Sequence, residues 1–203
     1  KGTQTTNGTY IYEEIDPSLE DDIRESAEIS TYDSSYQTTY KRIKFIKASL
    51  GNNGYRLTVY TQWLITPVTQ SYDVTALRVD DAYVVEGTQV GTQTYIKNGT
   101  IGYVNYSPNG TNIRKSDNGF GISMNLVNGG TNFETDISAN VVATSQYAMA
   151  YGTYQHAVTD VTLDESQSYF ISHNGFGDVV NFATGVQNKY DGMAGVSVSL
   201  SYS

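Results

Sequence analysis

Cysteine is absent from the 203 residues, so the chain has no disulfide, no thiol nucleophile and no thiolate ligand for zinc or an iron–sulfur cluster. That argues against a small disulfide-stapled ectodomain while leaving bacterial export open. No run of about 18 apolar residues is present, so no helix crosses a bilayer. Charged residues make up only 16 %, tryptophan occurs once, proline three times and histidine twice. Motifs that carry chemistry are missing too. A P-loop and a dinucleotide fingerprint are absent, since GTQVGTQTY has neither the lysine nor the helix that phosphate binding requires. Gly121-Ile122-Ser123 begins a G-x-S-x-G nucleophile elbow, but Asn125 takes the place of its last glycine. His156 and His173 show no H-x-H or H-E-x-x-H spacing, and Asp160, Asp164 and Asp178 form no ligand string with them. No metal or other cofactor is implied, and each histidine is expected to be a hydrogen-bonded structural residue.

What is present is a strand palette. Tyrosine is abundant, with 18 against 6 phenylalanines, and threonine, serine, glycine and asparagine fill much of the rest. Such residues suit half-buried strands joined by tight turns. Residues 55–66 alternate, with Tyr55, Leu57, Val59, Thr61, Trp63 and Ile65 on one face, which places Trp63 in the core. Pro67 to Gln70 read as a turn and SYDVTALRV as the next strand, so TQWLITPVTQSYDV is expected to be a hairpin. Turn signals recur at Asp80-Asp81, Glu86-Gly87, Asn98-Gly99, Pro108-Asn109-Gly110, Asn118-Gly119 and Asn128-Gly129-Gly130. Residues 133–151 alternate for longer than one straight strand would run, so a break is expected, near Asn140. Residues 196–202 alternate Val196, Val198, Leu200 and Tyr202 with serines, as a docked terminal strand would. The pattern predicts an all-β, antiparallel sandwich of jelly-roll or Greek-key type with roughly ten or more strands. One domain, 34–203, would follow an arm and acidic helical segment, 1–33, in which Asp16 caps, Pro17 opens and Ile15, Leu19 and Ile23 stripe a short helix.

Charge is uneven. Residues 13–33 hold nine acids against Arg24, while the remainder holds twelve acids and eleven bases. An acidic segment on a nearly neutral body disfavours nucleic acid and anionic lipid as partners. The acids lack EF-hand spacing and read as a solvated face. The basic strand containing Lys41, Arg42, Lys44 and Lys47 is expected to pair with that segment or to be solvated. The four sequons, at Asn7, Asn98, Asn105 and Asn109, are as many as such a composition produces by chance. An internal echo, NGFG at 118–121 and 174–177, points to two equivalent turn-strand elements, with Asp178 either beside a bulge or facing inward.

The string W-x-x-x-P-x-x-x-S-x-D-V at 63–74, with GFGISMNL, YGTYQHA and GVSVSL, resembles a group of uncharacterised secreted proteins of Gram-positive bacteria. The likeness spans residues 55–203; an arginine is expected just before Ser71, where this chain has Gln70. It implies export and a β-rich fold, and it carries over no activity or catalytic residue. The opening KGTQTTNGTY, without a methionine or an apolar leader core, reads as a processed product, so the expected location is secreted or at the cell surface.

The function expected first is non-enzymatic extracellular binding or adhesion, with a polysaccharide or a surface protein as partner. A carbohydrate-binding module is the first alternative, with Tyr60, Tyr95, Tyr103 and Tyr106 as aromatic candidates. Others are a subunit that assembles by adding an N-terminal strand to a neighbour's sheet edge, a pore-former using TQTYIKNGTIGYVNYS, and a hydrolase. Paired acids for glycoside chemistry are not singled out among Asp73, Glu86, Glu134, Asp136 and Asp178. Candidate ligand-binding residues are Asp73, the four tyrosines, His156, His173 and Asp178. For a buried Asp73, Arg56 or Arg78 is the expected partner.

Overall fold

The structure is a computed structural model that describes residues 2–4, 10–12, 34–173, 178–192 and 195–202. In chain order the strands are β1 (Gly2–Gln4), β2 (Tyr10–Tyr12), β3 (Ser34–Gln37), β4 (Lys41–Gly51), β5 (Gly54–Trp63) and β6 (Tyr72–Asp80). They continue as β7 (Ala82–Val84), β8 (Val90–Lys97), β9 (Thr100–Tyr106), β10 (Ile113–Ser116), β11 (Gly119–Asn125) and β12 (Thr131–Ala143). The last are β13 (Met149–Ala157), β14 (Tyr169–Ile171), β15 (Val180–Phe182), β16 (Tyr190–Gly192) and β17 (Val196–Ser199).

The chain is an all-β sandwich. One sheet runs β3-β4-β5-β12-β8-β9, with β7 also on β12; the other runs β10-β11-β6-β13, with β16 and β17 sharing the far edge of β13. All pairings are antiparallel. Period-2 alternation drives this arrangement, because it gives β5 one buried face (Tyr55, Leu57, Val59, Thr61, Trp63) and one half-buried face. Facing residues on β6, β11 and β13 meet it, and Leu77, Phe120, Ile122, Met124, Ala150 and Tyr154 join Ile43, Phe45, Leu57 and Val59 in one core. A β14–β15 hairpin covers the outer side of the smaller sheet, where Tyr169, Ile171, Val179 and Val180 pack on Val74 and Ala76. This second cover explains why β6 is buried on both faces. The Asn98-Gly99 turn between β8 and β9 has positive φ at both residues, 52° and 75°, as a type I′ turn requires.

Three expectations are corrected. The stretch 61–74 is not a hairpin: β5 pairs with β4 and β12, β6 pairs with β11 and β13, and the loop between them crosses from one sheet to the other with Pro67 buried. The break in 133–151 falls at residues 144–148 instead of Asn140. There Ser145 Oγ accepts from the Tyr147 N–H at 3.0 Å, and Thr144 donates twice to the Asp81 carbonyl, turning the chain between the sheets. The two NGFG-linked strands are not equivalent, because β11 is a seven-residue strand of the smaller sheet and β15 has three residues in the covering hairpin. Residues 174–177, the acidic segment 13–33 with its expected helix, and most of the N-terminal arm lie outside the described residues. Of that arm, β1 and β2 pair with each other.

Candidate functional site

A polar cluster is built at one end of the sandwich from the first or last inward-facing residues of five strands. In the larger sheet Lys41 and Trp63 are direct cross-strand neighbours. In the smaller one His156 is paired with Asp191 on one side, and on the other lies one step beyond the Val74–Gln155 pair, which sets it opposite Asp73. Two rungs, Lys41–Trp63 and Asp73–His156–Asp191, thus bound the same end of the interior. Tyr154, two residues inward from His156 and on the same strand face, lies beneath them.

Asp73 is fully buried and is the acceptor at the centre. The Tyr154 hydroxyl donates to Oδ2, the Ala157 N–H donates to Oδ1 at 2.8 Å, and His156 Nδ1 lies 3.0 Å from both oxygens. Trp63 Nε1–H in turn donates to the Tyr154 oxygen at 2.9 Å. Three donors on one carboxylate meet the condition under which a buried charge is tolerated. The phenol of Tyr154 is pushed well above its usual range, first by burial and then by the negative Asp73 beside it. A carboxylate only accepts, so Nδ1 of His156 carries its hydrogen and, in the neutral ring, Nε2 keeps its lone pair. Trp63 packs edge-on against the imidazole with centroids 4.6 Å apart, fixing its plane.

Outside this network lies a cavity of about 330 Å³ that opens to solvent, walled by Trp63, His156, Lys41 and Asp191 on the sandwich side and by Ile65, Pro67, Val68 and Val158 at the rim. Lys41 is only 4 % exposed, with its ammonium 5.0 Å from the centre of the Trp63 ring. Its nearest carboxylate oxygen is Asp191 Oδ2 at 3.6 Å, beyond hydrogen-bonding distance. A polar groove lined by Gln70, Asn125, Asn128 and Asp160 lies on the other side of the 64–71 loop. Gln70 braces that wall, accepting from Gly129 N–H at 2.6 Å and donating to the Gly130 carbonyl at 2.8 Å.

Of the candidate residues, Asp73 and His156 come together. His173 and Asp178 are both exposed in the covering hairpin's connection, and the Asp178 carbonyl accepts from Ser172 Oγ at 2.6 Å. The expected arginine partners of Asp73 are not its partners. Arg56 donates to Ser138 and Asn140 on the larger sheet's outer face, while Arg78 points from the outer face of β6 against Tyr151 and Asp80. Strand phase is the reason: Arg78 is five residues from Asp73 and so projects to the opposite side. The four tyrosines do not share a plane. Tyr95 and Tyr106 pack against the core, the latter pushed up to about 12 by burial, whereas Tyr60 and Tyr103 alternate onto the outer face. Among the acids, Glu86 ion-pairs with Lys115, which holds it below its usual range, Glu134 accepts from Gln62 at 3.3 Å, and burial pushes Asp136 up to about 6. Asp164 lies in the first turn of the one-turn helix Leu163–Ser166, capped by Thr162.

Of the strand expected to pair with the acidic segment or be solvated, Lys41 and Lys47 turn inward and are not solvated, and Lys47 donates to the Ser199 carbonyl at 2.8 Å; pairing with residues 13–33 lies outside the described residues. Lys41, Tyr154 and Asp191 were not singled out in the sequence. Alternation with Ile43 and Phe45 carried the signal for Lys41, and the spacing of two between Tyr154 and His156 carried that for Tyr154. Nothing local marks Asp191. Among the described residues no group of three or more His, Asp or Glu is placed to hold a metal ion, and no helix is long and apolar enough to cross a membrane. No protein-family model and no curated protein matches the chain.

Proposed function

We propose that the chain is a non-enzymatic binding module of secreted or cell-surface type, whose ligand seats in the cavity at the Trp63–His156 end of the sandwich. The observation that carries this reading is Lys41, a side chain only 4 % exposed whose ammonium lines the cavity and has no hydrogen-bond acceptor among the described residues. A cation on a largely buried side chain needs acceptors for its hydrogens, and a ligand that displaces solvent from the cavity must supply them. Rigid placement by strands and the apolar rim of Ile65, Val68 and Val158 add the usual features of a small-molecule site. The export side of the reading rests on composition and on the resemblance of 55–203.

The carbohydrate reading is weaker at this cavity, because the face of Trp63 is taken by Lys41 and its N–H by Tyr154, which leaves the exposed Tyr40 as the aromatic a sugar could stack on. The hydrolase reading gains from Asp73 and His156, which hold an imidazole as a general base would need. It lacks a nucleophile: among the described residues no serine or threonine hydroxyl bonds Nε2, and Thr69 Oγ1, on the cavity wall, donates to the Val158 carbonyl instead.

Trp63, as the single tryptophan, serves as the probe. A panel of amino acids, sugars, short acids and amines is titrated against its fluorescence and against thermal stability. The reading expects at least one class to bind and the exposed rim change Val158→Arg to abolish that binding with stability unchanged. Silence across the panel, or binding indifferent to Val158→Arg, overturns it.

A further inference from the structure

The cavity wall holds more than Lys41, and the rest of it narrows the ligand. Two charges of opposite sign stand side by side: the Lys41 ammonium, and the carboxylate of Asp191, whose side chain is 65 % exposed. At 3.6 Å they attract without hydrogen bonding, so the donor hydrogens of one and the acceptor oxygens of the other remain open to a third group. Directly across the strand pair from Asp191 is His156, whose Nδ1 is committed to Asp73 and whose Nε2 has no partner among the described residues. Opposed residues in an antiparallel pair have Cβ atoms about 5 Å apart, so one small cation can touch both side chains. The site therefore presents two acceptors, the Asp191 carboxylate and Nε2, next to one charged donor, Lys41. Beyond them the rim is apolar, with Ile65, Pro67, Val68 and Val158.

Resting on the reading of this cavity as a binding site, we propose that its ligand is a free α-amino acid with an apolar side chain. The ligand's ammonium sits between Asp191 and His156 Nε2, its carboxylate accepts from Lys41, and its side chain lies along Ile65, Val68 and Val158. A zwitterion matches both halves of the wall in charge as well as in hydrogen bonding. A simple anion leaves the Asp191 carboxylate facing it, and a simple cation faces Lys41. A neutral hydrocarbon would displace solvent from the Lys41 ammonium and offer it no acceptor. A cavity of about 330 Å³ is at the small end of ligand sites, which suits one amino acid and not an oligomer. The Nδ1-protonated form imposed by Asp73 is also the form that offers a lone pair to an ammonium.

The test compares L-leucine, N-acetyl-L-leucine and L-leucinamide by calorimetry and Trp63 fluorescence on the whole chain. N-acetylation removes the ammonium and amidation removes the carboxylate, while the side chain is unchanged. Leucine is expected to bind at least tenfold more tightly than either. Asp191→Asn, at an exposed position that leaves folding intact, is expected to weaken leucine at least tenfold and to strengthen N-acetyl-leucine or leave it no weaker. Lys41→Met gives the reverse selectivity, losing N-acetyl-leucine and leucine but not leucinamide. Equal binding of leucine and either analogue, or indifference of leucine to Asp191→Asn, overturns the zwitterion assignment and leaves the cavity a binding site. If no amino acid binds while another panel member does so in a manner abolished by Val158→Arg, the assignment alone falls. If nothing in the panel binds, both fall.

Discussion

Changing Tyr154 to phenylalanine removes one oxygen atom from the centre of the buried network and nothing else. That oxygen accepts from Trp63 Nε1 at 2.9 Å and donates to the Asp73 carboxylate. Loss of a hydrogen bond to a charged group costs about 1.5–3 kcal/mol, and a buried indole N–H left without an acceptor costs about 1–3 kcal/mol. Part of the second cost returns if the indole shifts, so a net loss of about 3 kcal/mol is expected. For a domain of this size that lowers Tm by roughly 6–12 °C. Urea unfolding followed by Trp63 fluorescence gives the free energy, and a double-mutant cycle with Asp73→Asn isolates the pair. Tyr169→Phe is the internal comparison, because the Tyr169 hydroxyl is buried without a hydrogen-bond partner among the described residues and burial holds its phenol above the usual range. Removing an unsatisfied hydroxyl should be neutral or stabilising by about 1 kcal/mol. Two tyrosines of similar burial, 0 % and 4 % exposed, are thus expected to respond with opposite sign. Equal losses at both, or a change at Tyr154 below about 0.5 kcal/mol, would refute the hydrogen-bond reasoning, since area alone would then decide.

Two further outcomes are expected. Asp136 titrates near 6 in the folded chain, against 3.8 for the ordinary carboxyl, chiefly because burial penalises its charge. The folded state then holds this proton more tightly than the unfolded state, so the contribution is favourable below about pH 4 and declines as pH rises towards 6. The full swing is at most about 3 kcal/mol, and Asp136→Asn should remove it, raising urea stability at pH 7 but not at pH 3.5; a gain independent of pH would contradict the assignment. Gly152 is on the inner face of β13, where an added Cβ would stand 2.6 Å from Val59 Cγ2 and 3.1 Å from Phe45 Cδ2. Gly152→Ala should cost about 1–3 kcal/mol by overpacking, read from the same urea midpoint, and an unchanged midpoint would mean that the two sheets part more easily than their packing implies.

The fold was largely legible because strand alternation is a local signal. The burial of Trp63 follows from its phase with Leu57 and Val59, and the Asn98-Gly99 turn from its residue types. Sheet membership was not local, and a proline-bearing turn between two alternating runs reads the same whether the runs pair or face each other across a core. That is how the Pro67 crossover was read as a hairpin. The site suffered from the same limit. Asp73 and His156 are 83 residues apart and meet only because β6 pairs with β13, so sequence proximity pointed to arginines instead. Lys41 was legible in principle, since it shares the phase of Ile43 and Phe45, but four basic residues in one strand drew the reading towards the acidic segment or solvent.

The most direct measurement is the hydrogen position on His156, read from ¹⁵N–¹H correlations of the imidazole rings. The chain has only two histidines, and His173 is exposed and serves as the reference. If Asp73 holds the ring as described, His156 in its neutral form carries its hydrogen on Nδ1 and shows an unprotonated Nε2 facing the cavity, and Asp73→Asn abolishes that preference. A neutral His156 protonated on Nε2, like a free imidazole, would contradict the network and the cavity wall built on it.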